Sequence, residues 1–118
     1  LRLVQGSLFE PVTGARLDLI SGNPPYIPAD DIAGLPLAER AFTPQLALAG
    51  GQDGLDLVRA IARQATEHLT PGGLLALEVG ADQGAATRAA FEAAGLRDVQ
   101  VARDLGGRDR VVSGYGPP

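Results

Sequence analysis

A doubly wound α/β sheet is the fold class this sequence predicts, and two observations predict it. The first is the order of its elements: strand, strand, helix, strand, helix, strand, strand. The second is the stiff loop Asn23-Pro24-Pro25-Tyr26, which follows directly on an apolar strand. Ligands of such sheets bind beyond the carboxyl ends of the strands, where this loop stands. The 118 residues suffice for one small domain.

The elements follow in order. Residues 1–4 are a short apolar run closed by Gly6, a plausible strand. Residues 17–21 (Leu-Asp-Leu-Ile-Ser) are apolar enough for a strand buried on both faces. It stops at Gly22, because proline neither donates to a ladder nor continues a helix. Residues 27–52 carry Pro28, Pro36, Pro44 and several glycines, an irregular stretch with a short helix expected around 37–42.

A helix follows, with Asp53 as its expected cap and Asp56 in its first turn. Leu55, Val58, Ile61, Ala62, Ala65 and Leu69 share one face at helical spacing. Pro71-Gly72-Gly73 ends it, and residues 74–79 form the most apolar strand. A second helix is expected over 82–94, stopped by Gly95 in a left-handed cap. Residues 98–102 and 110–114 are two late strands, close enough across Gly106-Gly107 to pair antiparallel.

Composition narrows the function classes. With aromatics at 4%, the core is built from Leu, Val, Ile and Ala. Fourteen acids against ten bases, all of the latter Arg, give a net charge of −4. That balance argues against direct nucleic-acid binding through phosphate contacts. There is no Cys and one histidine, His68, so disulfides, thiol catalysis and cysteine zinc sites are excluded, and no metal is expected. No apolar run approaches the ~20 residues of a membrane span, and a soluble cytoplasmic protein is expected. The chain opens on Leu1 rather than Met, which suggests a piece of something longer.

One motif carries chemistry. At ordinary residue usage, Asn-Pro-Pro-Tyr arises by chance in roughly a few of ten thousand chains of this length. Asn23 offers an amide oxygen that accepts and an NH₂ that donates. The Pro24 carbonyl is a second acceptor, held in a fixed direction by two consecutive rings. Two acceptors aimed at one point suit a planar NH₂ group, and Tyr26 adds a flat face to stack on it. The plainer alternative is an Asn-Pro turn with a core tyrosine.

This loop resembles motif IV of the class I S-adenosylmethionine-dependent methyltransferases that act on planar nitrogen. The run from Asp18 through Asn23-Pro24-Pro25-Tyr26 to Ile27 resembles the HemK/PrmC family in particular. So do Pro44, Ala47-Leu48-Ala49-Gly50-Gly51 and Asp53-Gly54-Leu55. Leu77-Glu78-Val79-Gly80 with Gln83, Asp104-Leu105 and Gly107-Arg108-Asp109-Arg110-Val111-Val112 complete the likeness, which covers the chain almost from end to end.

The resemblance implies a Rossmann-like class I methyltransferase sheet, mostly parallel with an antiparallel C-terminal strand. It implies S-adenosyl-L-methionine as cofactor and N5-methylation of the glutamine in the Gly-Gly-Gln loop of class I peptide-chain release factors. Asn23, Pro24, Pro25 and Tyr26 become the catalytic and substrate-binding residues; Ser7, Leu8 and Asn23 become the cofactor-binding ones. Asn23 and the Pro24 carbonyl would accept the two amide hydrogens while Tyr26 packs on the amide plane. The alternatives are glutamine methylation of a ribosomal protein, adenine-N6 methylation, and a non-catalytic fragment.

Departures from the family pattern set further expectations. The glycine-rich first motif, the acidic residue after the second strand and the helical amino-terminal domain are absent, so residues 1–118 read as the C-terminal portion of a catalytic domain whose first strands are missing. The strand at 17–21 would then have a bare edge, through which self-association is expected. Ser7 stands where the family has Asp, and Thr43 where it often has Glu. Glu78 is read either as part of the active-site rim or as an exposed strand end, and Arg108, Asp109 and Arg110 as a solvated turn with an ion pair. His68 is expected to serve the dipole at its helix's end, not catalysis.

Overall fold

The structure, a computed structural model, describes residues 2–24 and 55–118. Four strands form one sheet: β1 (Leu17–Gly22), β2 (Leu69–Glu78), β3 (Arg97–Arg103) and β4 (Asp109–Tyr115). Two helices, α1 (Asp56–His68) and α2 (Gly84–Ala93), connect them, and a single 3₁₀ turn, Glu10–Val12, precedes β1. The sheet order is β1-β2-β4-β3. β1 and β2 are parallel, and β4 inserts antiparallel between β2 and β3. Three strands thus run one way and the last runs against them, as the resemblance implies. Among the described residues no helix is long and apolar enough to cross a membrane.

Strict alternation along β2 builds the core. Leu75, Leu77 and Val79 are buried, while Leu74, Ala76 and Glu78 between them are partly exposed. Val58, Ala62 and Ala65 of α1 join the same cluster with Phe91 of α2 and Val112 of β4. The helices also contact each other, so both lie on one face of the sheet. Gly114 permits this closeness, since a Cβ there would meet Phe91, Leu96 and Val99 at 3.2–3.3 Å.

Several expectations need correction. The doubly wound arrangement is not seen among the described residues, because both helices share one face. β1 is not buried on both faces: Leu19 is 60% exposed. Residues 2–4 form no strand, and Leu3 is 88% exposed. Without a ladder partner, apolar character alone does not make a strand. Asp53 and the stretch 27–52 lie outside the described residues, and the N-cap of α1 is Leu55, which makes no side-chain cap bond. Pro71-Gly72-Gly73 does not end α1: the helix stops at His68, and these three residues lie within the extended chain that begins at Leu69. The register slips there: Leu17 faces Leu69 and Leu19 faces Leu74, so four residues of β2 bulge opposite Asp18. Gly72 turns this bulge at φ +76°, and the Thr70 hydroxyl ties it to the Asp18 carboxylate at 2.8 Å.

Other expectations hold. Gly95 ends α2 at φ +97°, and β3 and β4 pair antiparallel across a turn with Gly107 at φ +78°. At the start of α2, Gln83 accepts from the Gly80 N–H at 3.0 Å and donates its own N–H to the Gly80 carbonyl. The Asp109 carboxylate packs directly over Gly84, placing a negative charge at the positive end of the helix.

Candidate active site

The carboxyl ends of β1 and β2 leave the sheet side by side. Gly22 is the last residue of β1, and it faces Leu77. The next residue on each strand is Asn23 on one and Glu78 on the other. Ser21 pairs with Ala76, and side chains alternate along a strand, so Asn23 and Glu78 fall on one face, the one without helices. Asn23 is exposed and Pro24 is buried, which anchors the loop at its second residue and leaves the amide free to meet a ligand. Pro25 and Tyr26 lie outside the described residues, as does Thr43.

β4 supplies the neighbouring charge. The Val79 N–H donates to the Arg110 carbonyl at 2.8 Å, and Glu78 faces Val111. The Arg110 guanidinium lies 3.8 Å from the Glu78 carboxylate and 3.4 Å from that of Asp104. A partly exposed pair of this kind contributes little to stability, about 0–1 kcal/mol, but it sets where a side chain points. Asp104 is itself fixed by the β3–β4 turn. Its Oδ1 accepts from the Gly106 N–H at 2.9 Å and the Arg108 N–H at 3.1 Å. The Arg108 N–H does most to hold the Asp104 carboxyl below the usual aspartate range. Burial opposes this, while the Gly106 N–H and Arg110 add to it. Arg103 and Asp109 make another ion pair at 3.4 Å. The solvated turn expected at 108–110 lies earlier, at 105–107; Asp109 and Arg110 are half-buried and open β4, and Arg110 reaches back to the strand ends.

Ser7 and Leu8 stand elsewhere. Both are exposed, and Leu8 sits at φ +49° in the turn leading to residues 10–12. The adjacent Phe9 stacks on His68 with ring centroids 4.6 Å apart. His68 closes α1 just before Leu69, which faces Leu17 at the amino end of β1. That stack ties the turn to the amino end of the sheet, whereas Asn23 leaves the carboxyl end. No hydrogen bond or ion pair joins Ser7 or Leu8 to Asn23 among the described residues. The His68 Nδ1 lies 2.9 Å from the Gln64 carbonyl, within its own helix. No group of three or more metal-ligating side chains occurs among the described residues.

The structure therefore assembles Asn23, Pro24, Glu78 and Arg110 at one place. The partnership of Glu78 with Arg110 is not visible in sequence spacing, since they lie on different strands. The only sequence signal was the position of Glu78 at a strand's carboxyl end.

No family model matches the chain. It is similar to the release factor glutamine methyltransferase of Cereibacter sphaeroides, 58% identical over 83% of this chain and 35% of that protein. The proteins of the same name in Geobacter sulfurreducens and Salmonella typhimurium are 46% and 40% identical, over 95% and 100% of this chain and 39% and 42% of theirs. The chain thus spans about two fifths of the length of the curated relatives it matches. Among solved structures, a methyltransferase from Pyrococcus furiosus superposes with a TM-score of 0.65 at 18% identity, covering 96% of this chain and 47% of that one. That likeness shows a shared fold.

Proposed function

Because this chain belongs to the release factor glutamine methyltransferase family, we propose that it forms the C-terminal portion of a catalytic domain that methylates the N5 nitrogen of the glutamine in the Gly-Gly-Gln motif of class I peptide-chain release factors. The observation that carries the reading is the placement of Asn23 and Pro24 one step past the β1 ladder, the amide exposed and the proline buried. A glutamine amide nitrogen is a poor nucleophile, since its lone pair is delocalised into the carbonyl. The Asn23 Oδ1 and the Pro24 carbonyl accept its two hydrogens and hold the nitrogen in one direction, which lowers the entropy lost at the reacting centre. The family resemblance assigns Pro25 and Tyr26, which lie outside the described residues, to the same substrate site.

A methyl donor of the S-adenosylmethionine type follows from the relatives' being methyltransferases. Ser7 and Leu8 do not fit as its holders beside Asn23, because their turn is tied to the other end of the sheet. We therefore derive no step through the cofactor from these residues, and assign the remainder of its site to strands preceding Leu1 in the longer protein. The reaction belongs in the cytoplasm, where release factors act. The relatives' shared name favours a release factor over a ribosomal protein or an adenine as substrate. In isolation the chain is proposed to self-associate through the bare edge of β1.

Transfer of a labelled methyl group from S-adenosylmethionine to a purified release factor tests the reading, in the full protein carrying this chain. Label in the Gly-Gly-Gln glutamine is expected, and Asn23→Ala should lower kcat by about a hundredfold to a thousandfold. Absence of label from that glutamine with the wild-type protein overturns it.

A further inference from the structure

We propose that Glu78 is a positioning residue for Asn23, fixing which end of the asparagine amide faces the substrate. The inference rests on the reading of Asn23 as an acceptor for a substrate amide. The oxygen and nitrogen ends of an asparagine are nearly the same size and differ only in what they bond. If the amide turns over, Asn23 presents an NH₂ to the substrate's own NH₂, and acceptance is lost. Catalysis of this kind therefore needs a group that takes the NH₂ end and refuses the oxygen end. A carboxylate does both, since when ionised it only accepts.

Glu78 is placed for this task. Gly22 faces Leu77, and the alternation of the two adjacent parallel strands, carried one residue past the end of β1, brings Asn23 to the same side as Glu78. Such strands run about 4.8 Å apart, well within the combined reach of an asparagine and a glutamate side chain. Glu78 is in turn kept from swinging away. Arg110 stands 3.8 Å from its carboxylate on one side and 3.4 Å from Asp104 on the other. Asp104 is pinned by two backbone N–H groups of the β3–β4 turn. Asp104, Arg110 and Glu78 thus form a chain of charges from the distal turn to the carboxyl end of β2, beside the end of β1. It assigns a use to an arginine and a glutamate whose exposed ion pair adds little stability.

Two readouts test the assignment in the full protein. In steady-state methyl transfer, Glu78→Leu should lower kcat about tenfold or more, with the KM for release factor changed by less than about twofold. Glu78→Gln keeps an acceptor oxygen but its NH₂ also admits the asparagine oxygen, so it should recover only part of the loss. In ¹⁵N spectra, the side-chain NH₂ of Asn23, assigned by its loss in Asn23→Ala, should shift on Glu78→Leu and shift less on Glu78→Gln. An unaltered kcat in Glu78→Leu, a loss carried by KM alone, or a Gln variant as impaired as Leu each overturns the proposal. If the wild-type protein transfers no methyl group, the functional reading falls instead, and the Asn23 resonance alone decides whether Glu78 holds the amide.

Discussion

On the helix side of the sheet Leu75, Leu77, Val79 and Val112 are wholly buried, whereas on the other side Leu19 is 60% and Tyr115 43% exposed, although Val112 and Tyr115 stand on the same strand. Strand propensity cannot account for the difference, because both faces are apolar in sequence. What separates them is the partner: α1 and α2 bring Val58, Ala62, Ala65 and Phe91 to one face only. The open face carries the site. Asn23 and Glu78 point to it, and a side chain that must meet a ligand gains from standing where no helix packs.

The contrast breaks most visibly at Phe91. Phe91→Ala removes a fully buried ring packed on Gly114 and should cost about 3–5 kcal/mol, while Leu19→Ala on the open face should cost about 0.5 kcal/mol or less. Urea unfolding of both variants measures the difference, and equal losses would show that the open face is covered in solution.

A smaller effect is expected where α2 begins. A Cβ at Gly84 would run into the Asp109 carboxylate. Gly84→Ala should therefore lose about 1–3 kcal/mol, against the usual gain of about 1 kcal/mol for such a change in a helix. A stabilised variant in the same unfolding assay would mean that Asp109 does not sit over the helix end.

The smallest effect lies in the turn behind the site and depends on pH. The folded carboxyl of Asp104 titrates below its unfolded value, so it adds stability above the unfolded pKa that is lost as pH falls through the folded one. Asp104→Asn should then be less stable than wild type at neutral pH, with the gap closing on acidification. A gap that stays constant from about pH 6 down to about pH 2 would remove the Arg108 and Gly106 bonds as its cause.

Much of the fold is legible before any coordinate is known. Both described helices, the left-handed stop at Gly95 and the closing antiparallel pair are written in periodicity and glycine placement. The Asn-Pro pair is legible too, since proline must break the strand at Gly22. Three features are not. Residues 2–4 look like a strand, but nothing local says whether a neighbour exists to pair with them. β1 reads as buried on both faces, yet Leu19 lies open because burial is decided by which helices arrive and on which side. Ser7 and Leu8 read as cofactor-binding residues, but the Phe9–His68 stack ties their turn to the other end of the sheet.

By itself, then, the sequence determined the element order, the place where β1 must stop, and the Asn23-Pro24 pair at that stop. These are local properties, set by side-chain period and by what proline and glycine permit in the backbone. Only the tertiary structure decided that Glu78 stands beside Asn23 and that Arg110 and Asp104 stand behind Glu78. That juxtaposition comes from strand register and from β4 inserting beside β2. Register is a relation between segments distant in the chain, satisfied by ladder hydrogen bonds and core packing together, and no single segment encodes it.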